Sequence, residues 1–299
     1  MEREKRVIAL GFFDGVHLGH AALLERTCER ARALGAKPFV LTFDTHPGQL
    51  LFGENVPLIN SPEGRVDLIG RLYGIHDVLF LHFDEGFRQM PWDVFVVALK
   101  ERFGAVHVVC GHNFRFGYQG AGMPDLLLEK CRELGIGCDV MEAVLVDGEP
   151  VSSTAIRGLL CAGEIEGANR LLGHPHTLAD TVRHGYKFGR TLGAPTINML
   201  FLAGVLELPH GVYATRVCIG DSVHSAVTNV GVRPTVGGQD QVTVESYILD
   251  FHADLYGRQV RVEFFHRLRA ERKFDDVEAL KAQIRRDAEA TRRYFLGLN

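Results

Sequence analysis

The sequence predicts a doubly wound parallel α/β domain followed by a small antiparallel β-barrel domain that ends in a helix. Three observations carry that expectation. Helical patterns stop at "RALGA", "RLYGI", "ERFGA" and "RELGI", and each is followed by a short apolar run. Glycine just past a helix end supplies a left-handed cap, so the repetition marks successive helix-to-strand handovers. Beyond Val146 the style shifts to alternating strand-like runs, and the chain closes on an amphipathic helical pattern.

In order, the first-half strands are "VIAL", "FVLTF", "VLFLHF", "VHVVCG" and the weaker "CDVMEAVLV". Helices alternating with apolar strands imply a parallel sheet, which binds ligands at the carboxyl ends of its strands. "STAIRGLLCAGEIEGANRLLG" reads as two short helices separated near Gly163, leading into "HPHTLADTVRHG". The barrel strands are "GVYATRVCIG", "SVHSAVTNVG", "VTVESYILDF" and "RQVRVEFFHRL", with a tight "GDS" hairpin between Ile219 and Val223. On the final helix Val277, Leu280, Ile284 and Phe295 are expected on the inner face. Arg285, Arg286, Arg292 and Arg293 are expected to be solvated. The domain boundary is placed near His174, giving domains 1–173 and 174–299.

Composition narrows the function classes. The 299 residues are 46% hydrophobic and 23% charged with net charge −4, which gives no general footprint for nucleic acid. No apolar run approaches the roughly 20 residues of a membrane helix, and "MEREKRVIAL" lacks a signal-peptide pattern, so a cytoplasmic placement without membrane partners is expected. Six cysteines without a C-x-x-C pair read as reduced packing thiols. The sequence sets no oligomeric state.

Chemistry concentrates first in "GFFDGVHLGH". His17 and His20 lie three apart at a helix start and can share a face. Gly19 has no Cβ to bar an anion from the backbone, and the free N–H groups of a helix start favour negative charge. Asp14 and Gly15 lie in the turn. Such a pair can clamp phosphate and stabilise charge on a transferring phosphorus; alone, H-x-G-H equally describes histidines that cap or pack. "VSSTAIRG" repeats the theme, with Ser152, Ser153 and Thr154 capping a helix and Arg157 extending from its first turn. "TFDTHP" and "CGHNFRFG" fall at further strand ends, so His17, His20, His46, Asn113 and Arg157 gather on one rim.

The second half offers "HGYKFGRTLGAPTIN", with Gly185, Gly189 and Gly193 before Pro195, Thr196 and Asn198. It is not a Walker loop. Its glycines, hydroxyl and amide suit phosphate and Mg²⁺, and equally suit a glycine-rich barrel turn. Along "VTVESYILDF", alternation sets Val242, Val244, Ser246 and Ile248 on one face and Glu245 with Tyr247 on the other. A carboxylate there, pointing into a barrel mouth, can take a proton from an alcohol; more often it faces solvent.

"GFFDGVHLGH", "TFDTHP", "GHNFRFG" and "SSTAIR", in order, resemble the nucleotidyltransferase-like half of the bacterial bifunctional riboflavin kinase/FMN adenylyltransferase family. "GRTLGAPTIN", "HGVYA", "TNVGVRPTV", "VESYILDF", "DLYG" and "LRAERKF" resemble its riboflavin kinase barrel. The resemblance implies ATP-dependent phosphorylation of riboflavin to FMN with release of ADP, then adenylylation of FMN to FAD with release of pyrophosphate. It implies Glu245 as the kinase base, His17 and His20 as catalytic in adenylyl transfer, and Mg²⁺ at Thr196 and Asn198. Nucleotide and phosphate contacts fall to Gly11, Asp14, Gly19, Ser153, Thr154, Arg157, Gly185, Gly189, Thr196 and Asn198. Asn113, Arg269 and Phe274 fall to the flavin. The sequence departs from the family pattern at Thr45, Ala194 and Ile197, and at Met123, where an acidic residue is usual after Gly122. Two alternatives stand beside this reading. One is a riboflavin kinase with a weak or regulatory adenylyltransferase domain, which His17, His20, Asn113 and Arg157 argue against; the other is a non-enzymatic flavin or nucleotide binder, which Glu245, Thr196 and Asn198 argue against.

Overall fold

The computed structural model describes residues 4–45, 53, 56–82, 84–185, 192–233 and 241–297. His46 and Gly189, singled out above, lie outside them. The chain divides into two compact units, Met1–Ser153 and Thr154–Asn299.

The first unit alternates strand and helix: β1 (Arg6–Leu10), α1 (Leu18–Leu34), β2 (Lys37–Phe43), α2 (Pro62–Tyr73), β3 (Val78–Leu81), α3 (Glu85–Arg88), α4 (Trp92–Glu101), β4 (Ala105–Gly111), α5 (Pro124–Leu134) and β5 (Gly137–Met141). The five strands form one parallel sheet in the order β3-β2-β1-β4-β5. Gly35, Gly74 and Gly135 take the left-handed conformation just past α1, α2 and α5. Gly104 does so two residues beyond the cap of α4. The tail of the fifth apolar run leaves the sheet: β6 (Leu145–Val146) pairs with β7 (Glu149–Pro150) as a separate ribbon.

Strand alternation divides the core in two. Val7 and Ala9 pack with Leu24 and Ala31 of α1 and Leu68 and Ile69 of α2. Ile8 and Leu10 pack with Phe95 and Leu99 of α4 and Leu127 and Cys131 of α5. Both faces are therefore covered, as a parallel sheet requires. Sequence order reverses at β1, between β2 on one side and β4 on the other, which makes the carboxyl ends of β1 and β4 the natural crevice.

The second unit carries most of α6 (Ser153–Ala162), then α7 (Ile165–Leu172), β8 (His176–Thr181), β9 (Thr196–Leu200), β10 (Gly211–Ile219), β11 (Ser222–Arg233), β12 (Gln241–Ile248), β13 (Gln259–Ala270) and α8 (Val277–Gly297). Its six strands run β8-β13-β10-β11-β12-β9 in a curled antiparallel sheet. The expected hairpin closes Ile219 onto Ser222. The contact division falls ahead of the expected boundary near His174, because α7 is tied to the barrel. Asn169 Nδ2 donates to Phe264 O at 2.8 Å, and His176 N donates to Asn169 Oδ1 at 2.7 Å.

Three further differences have physical causes. Strands β8 and β9 were not expected, since "HTLADT" buries the polar Asp180, whose carboxylate accepts from the Leu200 amide at 3.1 Å, and β9 is five residues long. Glu245 does not point into the barrel. Val244, Ser246 and Ile248 fill the interior, where the hydroxyls of Thr215, Thr228 and Ser246 form a chain of 2.7 Å links, so Glu245 and Tyr247 face α8 instead. Finally, Val277 is 49% exposed, and the inner face of α8 holds Gln283, Asp287, Ala288, Thr291 and Phe295. That polar stretch exists because Asp287 receives Arg269 from β13.

Candidate active sites

The first site grows from the turn after β1. Phe13 and Val16 adopt φ 56° and 44°, in the left-handed region that a branched residue such as Val16 rarely enters. Both side chains are fully buried, and this burial holds the turn. Asp14 fastens it: its Oδ1 accepts from the amides of Ile59 at 2.8 Å and Asn60 at 3.3 Å, and its carbonyl accepts from Ser153 Oγ at 2.9 Å. Asp14 thus anchors the turn through both its side chain and its carbonyl. Ser153 joins the turn through that same carbonyl.

His17 caps α1, its Nδ1 accepting from His20 N at 3.3 Å, and the two imidazoles stack 3.7 Å apart at 16°. A Cβ on Gly19 would fall 3.0 Å from His17 Cε1, so this glycine makes room for the ring. Burial, then the neighbouring His17 and Arg65, hold His20 well below the usual histidine value, leaving a neutral imidazole. Helix start, stacked rings and bare α-carbon together form a surface suited to an anion. Thr154 and Arg157 stand on α6 across the division between the units, so their part in this clamp belongs to the proposal below.

Sequence reasoning missed a cavity of about 520 Å³ at the ends of β1 and β2, lined by Gly11, Phe43, Phe87, Phe95, Phe114 and Phe116 among others. The stacked Phe114 and Phe116, 5.3 Å apart, come from "GHNFRFG", where the spacing of the aromatics was the available signal. Asn113 of that motif is exposed beside Gly111 and is absent from the described lining.

The second site is a cavity of about 310 Å³ between the sheet and α8, and it brings together Thr196, Asn198, Glu245, Arg269 and Phe274. Glu245 stands opposite Asn198 on β9 and opposite Asn229 on β11. Gly185 admits the Asn198 amide, for a Cβ there would lie 2.5 Å from Asn198 Nδ2. Among the described residues Asn198 Oδ1 has no hydrogen-bond partner, and it is buried beside the Thr196 hydroxyl on the same strand. Two neutral oxygens suit a hard cation that arrives with phosphate and keeps waters. Among the described residues there is no group of three His, Cys, Asp or Glu able to hold a metal alone. Arg269 is clamped by Asp287, with Nη2 donating at 2.8 Å, and Phe274 lies under Arg272 at 4.8 Å. Asn229 and Glu271, joined at 3.1 Å, were not expected in the lining. Thr196 also borders a second cavity of about 350 Å³ lined by Pro195, Phe251, His252 and Tyr256.

A parallel sheet presenting an imidazole pair at a helix start, followed by a barrel presenting a carboxylate beside oxygen ligands, defines a two-domain transferase of phosphate chemistry. Residues 1–155 match a family model described as FAD synthetase, and residues 172–295 match one described as riboflavin kinase. Proteins named bifunctional riboflavin kinase/FMN adenylyltransferase from Listeria monocytogenes and Bacillus subtilis are each 34% identical, covering 98% and 99% of this chain and 93% and 95% of theirs. The one from Pseudomonas fluorescens is 37% identical, over 96% of this chain and 92% of its own. A crystal structure described as a macrolide-efflux protein from Streptococcus pneumoniae superposes with TM-score 0.85 at 29% identity, over 98% of this chain and 95% of that one. Among the described residues no helix is long and apolar enough to cross a membrane. The chain belongs to the bifunctional riboflavin kinase/FMN adenylyltransferase family.

Proposed function

We propose that this chain phosphorylates riboflavin at Glu245 and adenylylates the resulting FMN at the His17–His20 clamp. The observation that carries the reading is the convergence of Thr196, Asn198, Glu245, Arg269 and Phe274, drawn from three strands and a following loop, on one cavity. In the kinase half, Glu245 takes the proton of the ribityl 5′-hydroxyl as that oxygen attacks the γ-phosphorus of ATP, and ADP leaves. Asn198 Oδ1 and the Thr196 hydroxyl are the groups that would hold Mg²⁺, which when bound supplies positive charge beside the phosphates. Arg269, held by Asp287, and Phe274 close over the flavin. The cavity sharing Thr196, with Phe251 and Tyr256 in its wall, takes the adenosine end of ATP.

In the other half, an FMN phosphate oxygen attacks the α-phosphorus of ATP and pyrophosphate leaves, without a covalent enzyme intermediate. His17, His20 and Gly19 bind at the start of α1, Ser153, Thr154 and Arg157 at the start of α6, and catalysis is positioning with charge stabilisation. The phenylalanine-lined cavity beside Gly11 takes the isoalloxazine, with Asn113 at its approach. We assign residues 1–173 to adenylyl transfer and 174–299 to the kinase, in the cytoplasm. Riboflavin, ATP and Mg²⁺ incubated with the protein should yield FMN first and FAD after it, read by chromatography. FMN alone, even with FMN supplied as substrate, would leave a kinase with a silent adenylyltransferase half.

A further inference from the structure

One cross-strand row crosses most of the curled sheet on the side facing α8. Asn198 on β9 pairs with Glu245 on β12, Glu245 with Asn229 on β11, Asn229 with Val212 on β10, and Val212 with Arg269 on β13. All of them line the cavity of about 310 Å³. The function proposed above gives work to Asn198, Glu245 and Arg269. It leaves Asn229 without a task, and with it Glu271 from the loop after β13. Glu271 reaches past β10, and its Oε1 accepts from Asn229 Nδ2 at 3.1 Å.

The sheet makes room for that contact. A Cβ on Gly231, two residues along β11 from Asn229, would fall onto Glu271 Oε1, so the bare α-carbon admits the carboxylate. Asn229 is half-buried and Glu271 exposed, and folding gains little from a hydrogen bond between groups so open to water. What the pair offers a ligand is oxygen, since Asn229 Oδ1 and Glu271 Oε2 are both acceptors.

The order of the row matches the order of groups along riboflavin. On the reading above, Asn198 meets the cation and phosphates, Glu245 the 5′-hydroxyl and Arg269 the ring. Asn229 and Val212 stand between Glu245 and Arg269, at about 4.8 Å per strand. Between its 5′-hydroxyl and its ring, riboflavin carries the secondary hydroxyls of the ribityl chain, donors that need acceptors once water leaves. We propose that Asn229 and Glu271 accept hydrogen bonds from these secondary hydroxyls, a polyol-reading pair that makes the kinase select a ribityl side chain. The proposal rests on the reading of Glu245 as the kinase base. Glu271 also sets the direction of binding, because its charge opposes phosphate on the ring side of the row and leaves the Asn198 end for it.

The test compares two flavins in the full chain. One is riboflavin; the other is an isoalloxazine with a 5-hydroxypentyl chain on N10, which keeps the ring and terminal hydroxyl and lacks the secondary hydroxyls. Phosphorylation of each is resolved into kcat and KM. The unaltered protein should favour riboflavin by about a hundredfold in kcat/KM, since a site built to bond a hydroxyl rejects an analogue lacking it. In Glu271→Ala the preference should fall to about tenfold, through a higher KM for riboflavin at nearly constant kcat, while the hydroxypentyl flavin changes by about twofold or less. Gly231→Ala, which crowds the carboxylate off Asn229, should act in the same direction. Glu271→Gln keeps an acceptor in place and should retain most of the preference. A merely structural role would weaken both substrates together; that outcome, an undiminished preference in Glu271→Ala, or no preference in the unaltered protein would overturn the proposal. Should Glu271→Ala not fold, its turnover of the hydroxypentyl flavin is lost and Gly231→Ala decides: an undiminished preference there would overturn it equally. Glu245→Gln separates this idea from the one beneath it. If that variant keeps full phosphorylation, the base reading falls and takes the proposal with it; if it loses phosphorylation while Glu271→Ala keeps the preference, the proposal alone falls.

Discussion

Asn198 on β9 stands directly opposite Glu245 on β12, so a buried carbonyl oxygen, without a partner among the described residues, and a carboxylate share one cross-strand pair. On the proposed reading, that pairing would put a cation ligand and a proton acceptor on the same stretch of sheet, fixed by backbone register. Glu245→Gln keeps the shape and removes the proposed base. We expect kcat for riboflavin phosphorylation to fall by 10²-fold or more, in line with the usual share of a positioned base. FMN adenylylation should be unchanged, since it is assigned to the other half. Chromatography of both reactions checks this, and loss of both activities would refute separate sites.

Gly185→Ala tests the same strand from the other side. The new Cβ would fall 2.5 Å from Asn198 Nδ2, closer than atoms tolerate, so the amide must turn away. The expected result is a rise in the Mg²⁺ concentration needed for half-maximal kinase rate, with adenylylation unaffected. A Mg²⁺ titration of the two activities in one preparation reads it.

Gly19→Ala separates local stability from chemistry. Gly19 sits in the first turn of α1, where alanine favours the helix by up to about 1 kcal/mol. Its Cβ would lie 3.0 Å from His17 Cε1 and push the ring out of its stack on His20. The thermal midpoint should hold or rise slightly while adenylylation drops about tenfold. A fall in the midpoint with activity retained would show that the glycine serves packing alone.

These sites were legible to different depths, for reasons that lie in the chemistry of each segment. Gly35, Gly74 and Gly135 announced helix ends because a left-handed cap is a local requirement that glycine meets most cheaply. His17 and His20 announced a shared face because three residues is just short of one helical turn. The side-chain contacts of Asp14 were hidden because its partners, Ile59 and Asn60, stand 45 and 46 residues away. The placement of Glu245 against α8 rather than in the barrel was open in the alternation, which separates two faces without saying which is covered. Asp287 explains why the covering helix escaped its apolar pattern: an inner position was given to an ion pair with Arg269.

Acid should weaken the second unit through His176. This side chain is 1% exposed against Phe264, and burial, reinforced by the charge of His174, pushes it down to about 3. In the unfolded chain it titrates near 6.5. Above that pH neither state is protonated and His176 leaves stability unchanged. As pH falls from about 6.5 towards 3, the unfolded state takes a proton that the folded state refuses, so stability is lost progressively at up to about 1.4 kcal/mol per pH unit. His176→Leu removes the titrating group and should flatten this part of the profile while changing kinase activity little at pH 7.5. Urea unfolding at pH 7.5 and 5.5 measures it: the gap between the two pH values should shrink by about 1.4 kcal/mol in the variant, and an equal gap in both proteins would mean that His176 is protonated in the folded state.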